Sequence, residues 1–239
     1  MKNKTFILAI LVVTFTTLKN QAQTVTDIDG NVYNTVKIGT QVWMVENLKV
    51  THYRNGVSIP NITNNLKWNT IETSAYCIYD NDSKNAAIYG LLYNWYAVAD
   101  KNNICPKGWH IPSDTEWNIL EKYLDNTVDT NVLGGVGIDI ANKLKETGTT
   151  HWKNPNNEAT NSSGFSALPG GITSDVTYNG LSYNFIGGVG FWWSSSKSNE
   201  EKDDNGASGW MRSLRTNDST ITRGRHYLYA GLSIRCIKD

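Results

Sequence analysis

From residue 149 onward the chain carries no helical periodicity, and this half of the sequence most limits what it can fold into. Gly, Ser, Asn and aromatic residues dominate it. An amphipathic helix requires apolar residues repeating every 3–4 positions, whereas alternation punctuated by Gly, Asn and Ser is the pattern of strands. Short strands are therefore expected at 165–168, 190–195, 209–215, 221–229 and 231–237, with Asn217-Asp218 turning between two of them. The first half reads differently. Ser113 and Glu116 form a capping box just after Pro112, and Trp117, Leu120 and Leu124 follow at i, i+3 and i+7, with Ile119 and Tyr123 beside them. Residues 86–99, apolar all round and without proline, predict a mostly buried helix weakened by Gly90. A third, short helix is expected at 138–146, with Ile140 and Leu144 four apart and Gly148 beyond its end. Val32–Ile38, the Gly39-Thr40 turn and Val42–Val45 form a hairpin pattern, and the Asn- and Thr-rich stretch 51–74 reads as a loop. The fold class is α+β, with two or three helices in the first half and small antiparallel sheets in the second.

Composition narrows the function. Lys+Arg and Asp+Glu are both 22, so the chain has no net charge and no broad basic field for a nucleic-acid backbone. Nine Trp and twelve Tyr argue against disorder, and 28 Asn and 24 Thr argue against an all-helical bundle. No repeat is present, and 23–239 reads as one domain. Met1, Lys2, Asn3 and Lys4 precede the apolar stretch Thr5–Val13, which is far shorter than the ~20 residues of a membrane span. With Ala22 as a small residue for cleavage, 1–22 is expected to be a secretory signal peptide. No cysteine lies near that point to accept a lipid, and no second apolar run follows, so the expected location is secreted or cell surface. Cys77, Cys105 and Cys236 are an odd set whose spacing does not fit a zinc site, and His52, His110, His151 and His226 are scattered. By themselves they suggest one structural bridge and one buried cysteine, with the pairing open.

Six stretches occur together in a recognisable order: Gly90–Val98, Cys105-Pro106-Lys107-Gly108-Trp109-His110-Ile111-Pro112-Ser113-Asp114, Lys143–Trp152, Ala159–Gly171, Phe191-Trp192-Trp193-Ser194-Ser195-Ser196 and Gly231-Leu232-Ser233-Ile234-Arg235-Cys236. Together they resemble the Fibrobacter succinogenes major paralogous domain, a family of exported bacterial proteins with no settled activity. The resemblance runs from about Asp29 to Asp239. That family is similar to the C-type lectin-like fold, which includes the formylglycine-generating enzymes. The resemblance implies a lectin-like scaffold closed by a strand at 231–236, a disulfide between Cys105 and Cys236, and Cys77 as the leftover thiol. The layout is also similar to lectin-like domains diversified by retroelements, which carry their variable residues just ahead of the closing strand.

Catalytic and metal-binding patterns are weak. The formylglycine-generating relatives use two cysteines shortly before the closing strand, and Thr222–Ala230 contains none, so that chemistry is not carried over. The Gly-x-Ser-x-Gly elbow is absent. His110 and His151 lie among aromatic and Gly residues and are read as packing or capping groups ahead of catalytic bases. No cofactor is expected. The acidic stretch 200–205 offers oxygen ligands for a structural Ca²⁺, as do Glu158 and Asn161, although a solvated loop is the plainer reading.

Recognition residues gather instead at 192–229. Trp, Tyr and Arg supply most interface hot spots. Alternation places Trp210 and Arg212 on one strand face and Arg223, Arg225 and Tyr227 on another, and sends Trp192 and Trp193 to opposite sides, at least one of them into the core. The candidate ligand-binding set is Trp210, Arg212, Arg215, Asn217, Arg223, Arg225 and Tyr227. The expected function is an exported, non-catalytic module binding a glycan, peptide or surface partner. A structural or adhesive surface component and a carbohydrate- or protein-modifying enzyme are the alternatives. Neither nucleic acid nor a membrane span is expected among its partners.

Overall fold

The computed structural model describes residues 23–177, 180–198 and 208–239. The expected signal peptide and the 200–205 acidic stretch lie outside the described residues. The N-terminal part contains β1 (Thr24–Thr26), β2 (Val32–Ile38), β3 (Gln41–Met44), α1 (Asn65–Thr70), β4 (Tyr76–Cys77), α2 (Ser83–Tyr89), β5 (Leu92–Tyr93) and α3 (Trp95–Val98). The chain continues through β6 (Trp109–His110), α4 (Asp114–Leu124), β7 (Gly134–Val136) and α5 (Ile140–Leu144). It ends with β8 (Ile172–Thr177), β9 (Gly180–Asn184), β10 (Val189–Lys197), β11 (Ser208–Arg215), β12 (Ile221–Tyr227) and β13 (Ile237–Lys238). The fold is mixed, with short helices and small antiparallel sheets: five strands in the order β1-β2-β3-β13-β6, four in the order β10-β11-β12-β7, and the pairs β4-β5 and β8-β9.

The four-stranded sheet is buried on both sides. Trp192, Leu214, Ile221 and Val136 point into one core with Trp117 and Leu120 of α4 and Ile140 and Leu144 of α5. Phe191, Trp193 and Met211 point into another with Tyr93, Trp95 and Val98. The expected opposition of Trp192 and Trp193 is therefore seen, and both are core. Their indole N–H groups donate to Asn47 Oδ1 at 2.9 Å and Tyr93 O at 2.8 Å. This satisfies the polar atom that a buried indole brings with it.

Local signals are met where they are strong. The Ser113–Glu116 capping box is formed, and α4 buries Trp117 and Leu120. The 138–146 helix is observed as Ile140–Leu144. Three expectations are corrected. The single helix over 86–99 is two helices, because Gly90 takes φ +79 and lies so close to Leu48 that a Cβ there would meet its carbonyl oxygen at 2.8 Å. Leu92–Tyr93 then pairs with β4, and the buried Asn94 starts α3 by accepting from Ala97 N at 3.1 Å. The supposed loop 51–74 contains α1, started by Asn64 accepting from Lys67 N at 3.1 Å. Residues 165–168 form no strand: Arg235 donates to Phe165 O, and Trp152 Nε1 takes Ala167 O at 2.9 Å. The expected strand 231–237 is regular only at its end. Gly231, Leu232 and Ser233 each bridge a different partner, Thr173, Tyr93 and Trp192 respectively.

Candidate binding site

The register of β11 and β12 brings the recognition residues together. Ser208 faces Tyr227, Trp210 faces Arg225, and Arg212 faces Arg223. Directly opposed residues of an antiparallel pair project from the same side of the sheet. The two faces expected from alternation within each strand are thus one face. Its inner end is the core described above, its middle is an arginine layer, and its outer end carries Trp210, Arg225 and Tyr227.

The arginine layer rests on α4. Arg212 is wholly buried. Its Nε donates to Glu121 Oε1, its Nη1 to Asp114 Oδ1 at 2.8 Å and its Nη2 to Asn118 Oδ1 at 2.7 Å. All its directions are used inside the protein, so Arg212 leaves the ligand-contacting set. Arg223 shares Asp114, through Nη2 to Oδ2 at 2.7 Å and Nε to Oδ1 at 3.2 Å, and its guanidinium lies 3.8 Å from the centre of the Trp210 ring. Burial works against ionising Asp114, but the Arg223 hydrogen bond and the charge of Arg212 outweigh it and hold the carboxyl below its usual range. Burial of Glu121 is deeper and wins over Arg212, so its carboxyl is raised. Asp114, Asn118 and Glu121 were not singled out in the sequence. Their i, i+4, i+7 spacing is the signal that marks them as one helix face.

Beyond this layer lies a groove of about 470 Å³, lined by Leu133, Ser208, Arg223, Arg225, His226 and Tyr227 among others, and by no carboxylate among the described residues. The Tyr227 ring stacks on Tyr229, with centroids 5.3 Å apart and planes 11° from parallel. His226 Nδ1 accepts from Tyr227 N at 3.0 Å, which fixes the chain direction at the rim. Arg223, Arg225 and Tyr227 converge here, and Trp210 does not line the groove itself but backs it through its contact with the Arg223 guanidinium. Arg215 and Asn217 do not join them: both are exposed at the far end of β11, about 17 Å along the strand from Trp210 for Arg215.

The other three histidines are tied up elsewhere. His110 is engaged at both ring nitrogens, 2.7 Å from Glu116 Oε1 and 2.6 Å from Asp239 Oδ1. His151 Nδ1 lies 2.7 Å from Glu146 Oε2, and His52 Nδ1 lies 2.6 Å from Asp29 Oδ1. None of the three lines the groove. Among the described residues no three His, Cys, Asp or Glu side chains gather as metal ligands. Cys105 and Cys236 form the disulfide, and Cys77 is buried as a free thiol whose pKa burial pushes up.

These features define a disulfide-closed α+β domain whose second sheet is anchored at one end and open at the other. The family model for the Fibrobacter succinogenes major domain matches residues 36–238, and the chain belongs to that family. No curated protein and no solved structure matches it.

Proposed function

We propose that the protein is an exported, non-catalytic binding module of C-type lectin-like fold, holding a glycan, peptide or surface partner in the groove at the open end of β11 and β12. The observation that carries this reading is the shared register face: Trp210, Arg225 and Tyr227 stand together beside Arg223, which Asp114 holds in place. Aromatic rings offer stacking surfaces and guanidinium groups offer planar donors, the two contacts that sugar rings and acidic side chains take up most readily. The apolar N-terminal run and the disulfide support export, since disulfides persist outside the reducing cytosol. The reading requires no cofactor. A combined glycan and peptide array tests it. Binding by the native protein that is lost in both Trp210→Ala and Arg225→Ala supports the groove. Silence on every array, or a binding profile that neither substitution changes, refutes it.

A further inference from the structure

The outer edge of the first sheet borders a cavity of its own. β1 is the end strand of that sheet. Asp27 N donates to Asn31 O at 3.0 Å and Thr35 N donates to Gln23 O at 2.8 Å, and Val25 faces Tyr33 between them. Hydrogen-bonded pairs alternate along an antiparallel ladder. Gln23, Val25 and Asp27 therefore turn their backbone groups toward β2, and Thr24 and Thr26 turn theirs outward. Among the described residues nothing pairs with those outward groups. An open edge of this kind is a template for a further strand. Beside it lies a cavity of about 440 Å³, lined by Thr26, Ile28, Arg54, Ile104, Pro106 and Lys107 among others. Its volume is within the range of ligand pockets.

Charge narrows what enters. Arg54 holds the 105–109 segment: its Nε donates to Cys105 O at 3.1 Å, and its Nη2 to Pro106 O at 2.9 Å and Trp109 O at 2.6 Å. Its Nη1 has no partner among the described residues and is not sealed from solvent. Lys107 is exposed at the same cavity. Asp27 is the one carboxylate among the described lining residues. It already accepts from Asp29 N, Asn31 N, Asn31 Nδ2 and Tyr33 Oη at 2.6 to 3.0 Å, so the two cations set the sign of the site. We propose that this edge and cavity take up an extended acidic peptide, which adds to β1 as a further strand in the antiparallel sense of its neighbours. One side of the added strand then faces the cavity. There an acidic side chain meets Arg54 and Lys107, and an apolar one two residues away meets Ile104 and Pro106. The site lies on the first sheet and is separate from the β11–β12 groove.

The test titrates acetyl-Thr-Glu-Thr-Leu-Thr-amide into ¹⁵N-labelled protein while the backbone amides of Thr26 and Lys107 are followed. Both signals are expected to shift, with binding in the millimolar range. Replacing the peptide's Glu by Gln weakens it about tenfold, the size of a charge-assisted hydrogen bond. Arg54 holds backbone in place, so its charge is probed from the peptide side, whereas Lys107→Ala leaves the fold intact and weakens binding about two- to fivefold. The Thr26 N–H points away from β2, so Thr26→Pro keeps the β1–β2 ladder and removes only the outward donor. That variant, and a peptide N-methylated at its central Thr, each bind about tenfold more weakly. The proposal is overturned if the Thr26 amide does not respond, or if the Gln peptide binds as well as the Glu peptide. It is equally overturned if Thr26→Pro and the N-methylated peptide change nothing. A Thr26 shift that tracks protein concentration without peptide gives the edge to a second copy of the chain and overturns it too. Silence of the groove on the arrays leaves this titration unaffected.

Discussion

Arg212 and Arg223 face each other on adjacent strands and share one carboxylate, yet they do different work. Arg212 is closed in by Asp114, Asn118 and Glu121, whereas Arg223 spans the boundary between core and groove. A buried charge that loses its partner costs far more than one that is never buried. Arg212→Met is therefore expected to destabilise by about 3 to 5 kcal/mol in urea denaturation, because buried Glu121 is left without its cation and Asp114 keeps only Arg223. Adding Glu121→Leu should recover part of that loss. A single mutant within about 0.5 kcal/mol of the native protein would show that the pair holds nothing together. Of this region, residue type was legible in the sequence and depth was not. Alternation says which side of a strand Arg212 takes, but only the placement of α4 over that side says it is closed off. The same limit applies to Arg215, which its place in the 192–229 segment groups with the other arginines and which the strand carries to the opposite end.

Among the elements, those whose signals are local were readable. The capping box of α4 depends on residues 113–116 alone, and it appears as expected. The break at Gly90 depends on Leu48, 42 positions earlier, and no short window contains both. Strands β7, β8 and β9 escaped notice because Gly134 and Gly135, and the polar residues of β8, hide any alternation. His110 joins three elements: it lies on β6, its ring meets Glu116 in the first turn of α4, and it reaches Asp239 next to β13. Burial opposes its charge, but the hydrogen bonds with Asp239 and Glu116 prevail and its pKa is raised. Burial also works against Glu116, whose bonds from Ser113 and His110 hold its pKa down. A raised histidine stabilises fully below its unfolded pKa of about 6.5 and loses that contribution as pH rises through the folded value. A lowered glutamate stabilises above its unfolded pKa of about 4.3 and loses that as pH falls through the folded value. The junction is strongest between the two, near pH 5 to 6. Melting temperatures measured from pH 5.5 to 8.5 should fall for the native protein relative to His110→Gln as pH rises. Parallel curves would rule the contribution out.

At the scale of the whole molecule, α+β class and family were legible because the motifs are contiguous, and the sheet order was not, because it joins distant segments. The Cys105–Cys236 bridge closes 131 residues of separation. In the chain-entropy model such a loop is worth about 5 kcal/mol, and measured losses run about 2 to 5 kcal/mol. The double variant Cys105→Ala/Cys236→Ala should unfold at correspondingly lower denaturant, and equal midpoints for the two proteins would contradict the model. Buried Cys77, its thiolate disfavoured, is a poor competitor for exchange with the bridge. The strand at the end of this chain has a consequence in time. β13 lies inside the first sheet between β3 and β6, and residues 231–233 bridge three partners on the way to it. Translation proceeds from the N-terminus at some 5 to 20 residues per second. A ribosome that has made residue 230 has therefore released a chain whose first sheet lacks an inner member. The disulfide cannot close before residue 236 has been made, nor that sheet before residue 238, so the N-terminal strands wait for a partner made some two hundred residues after them.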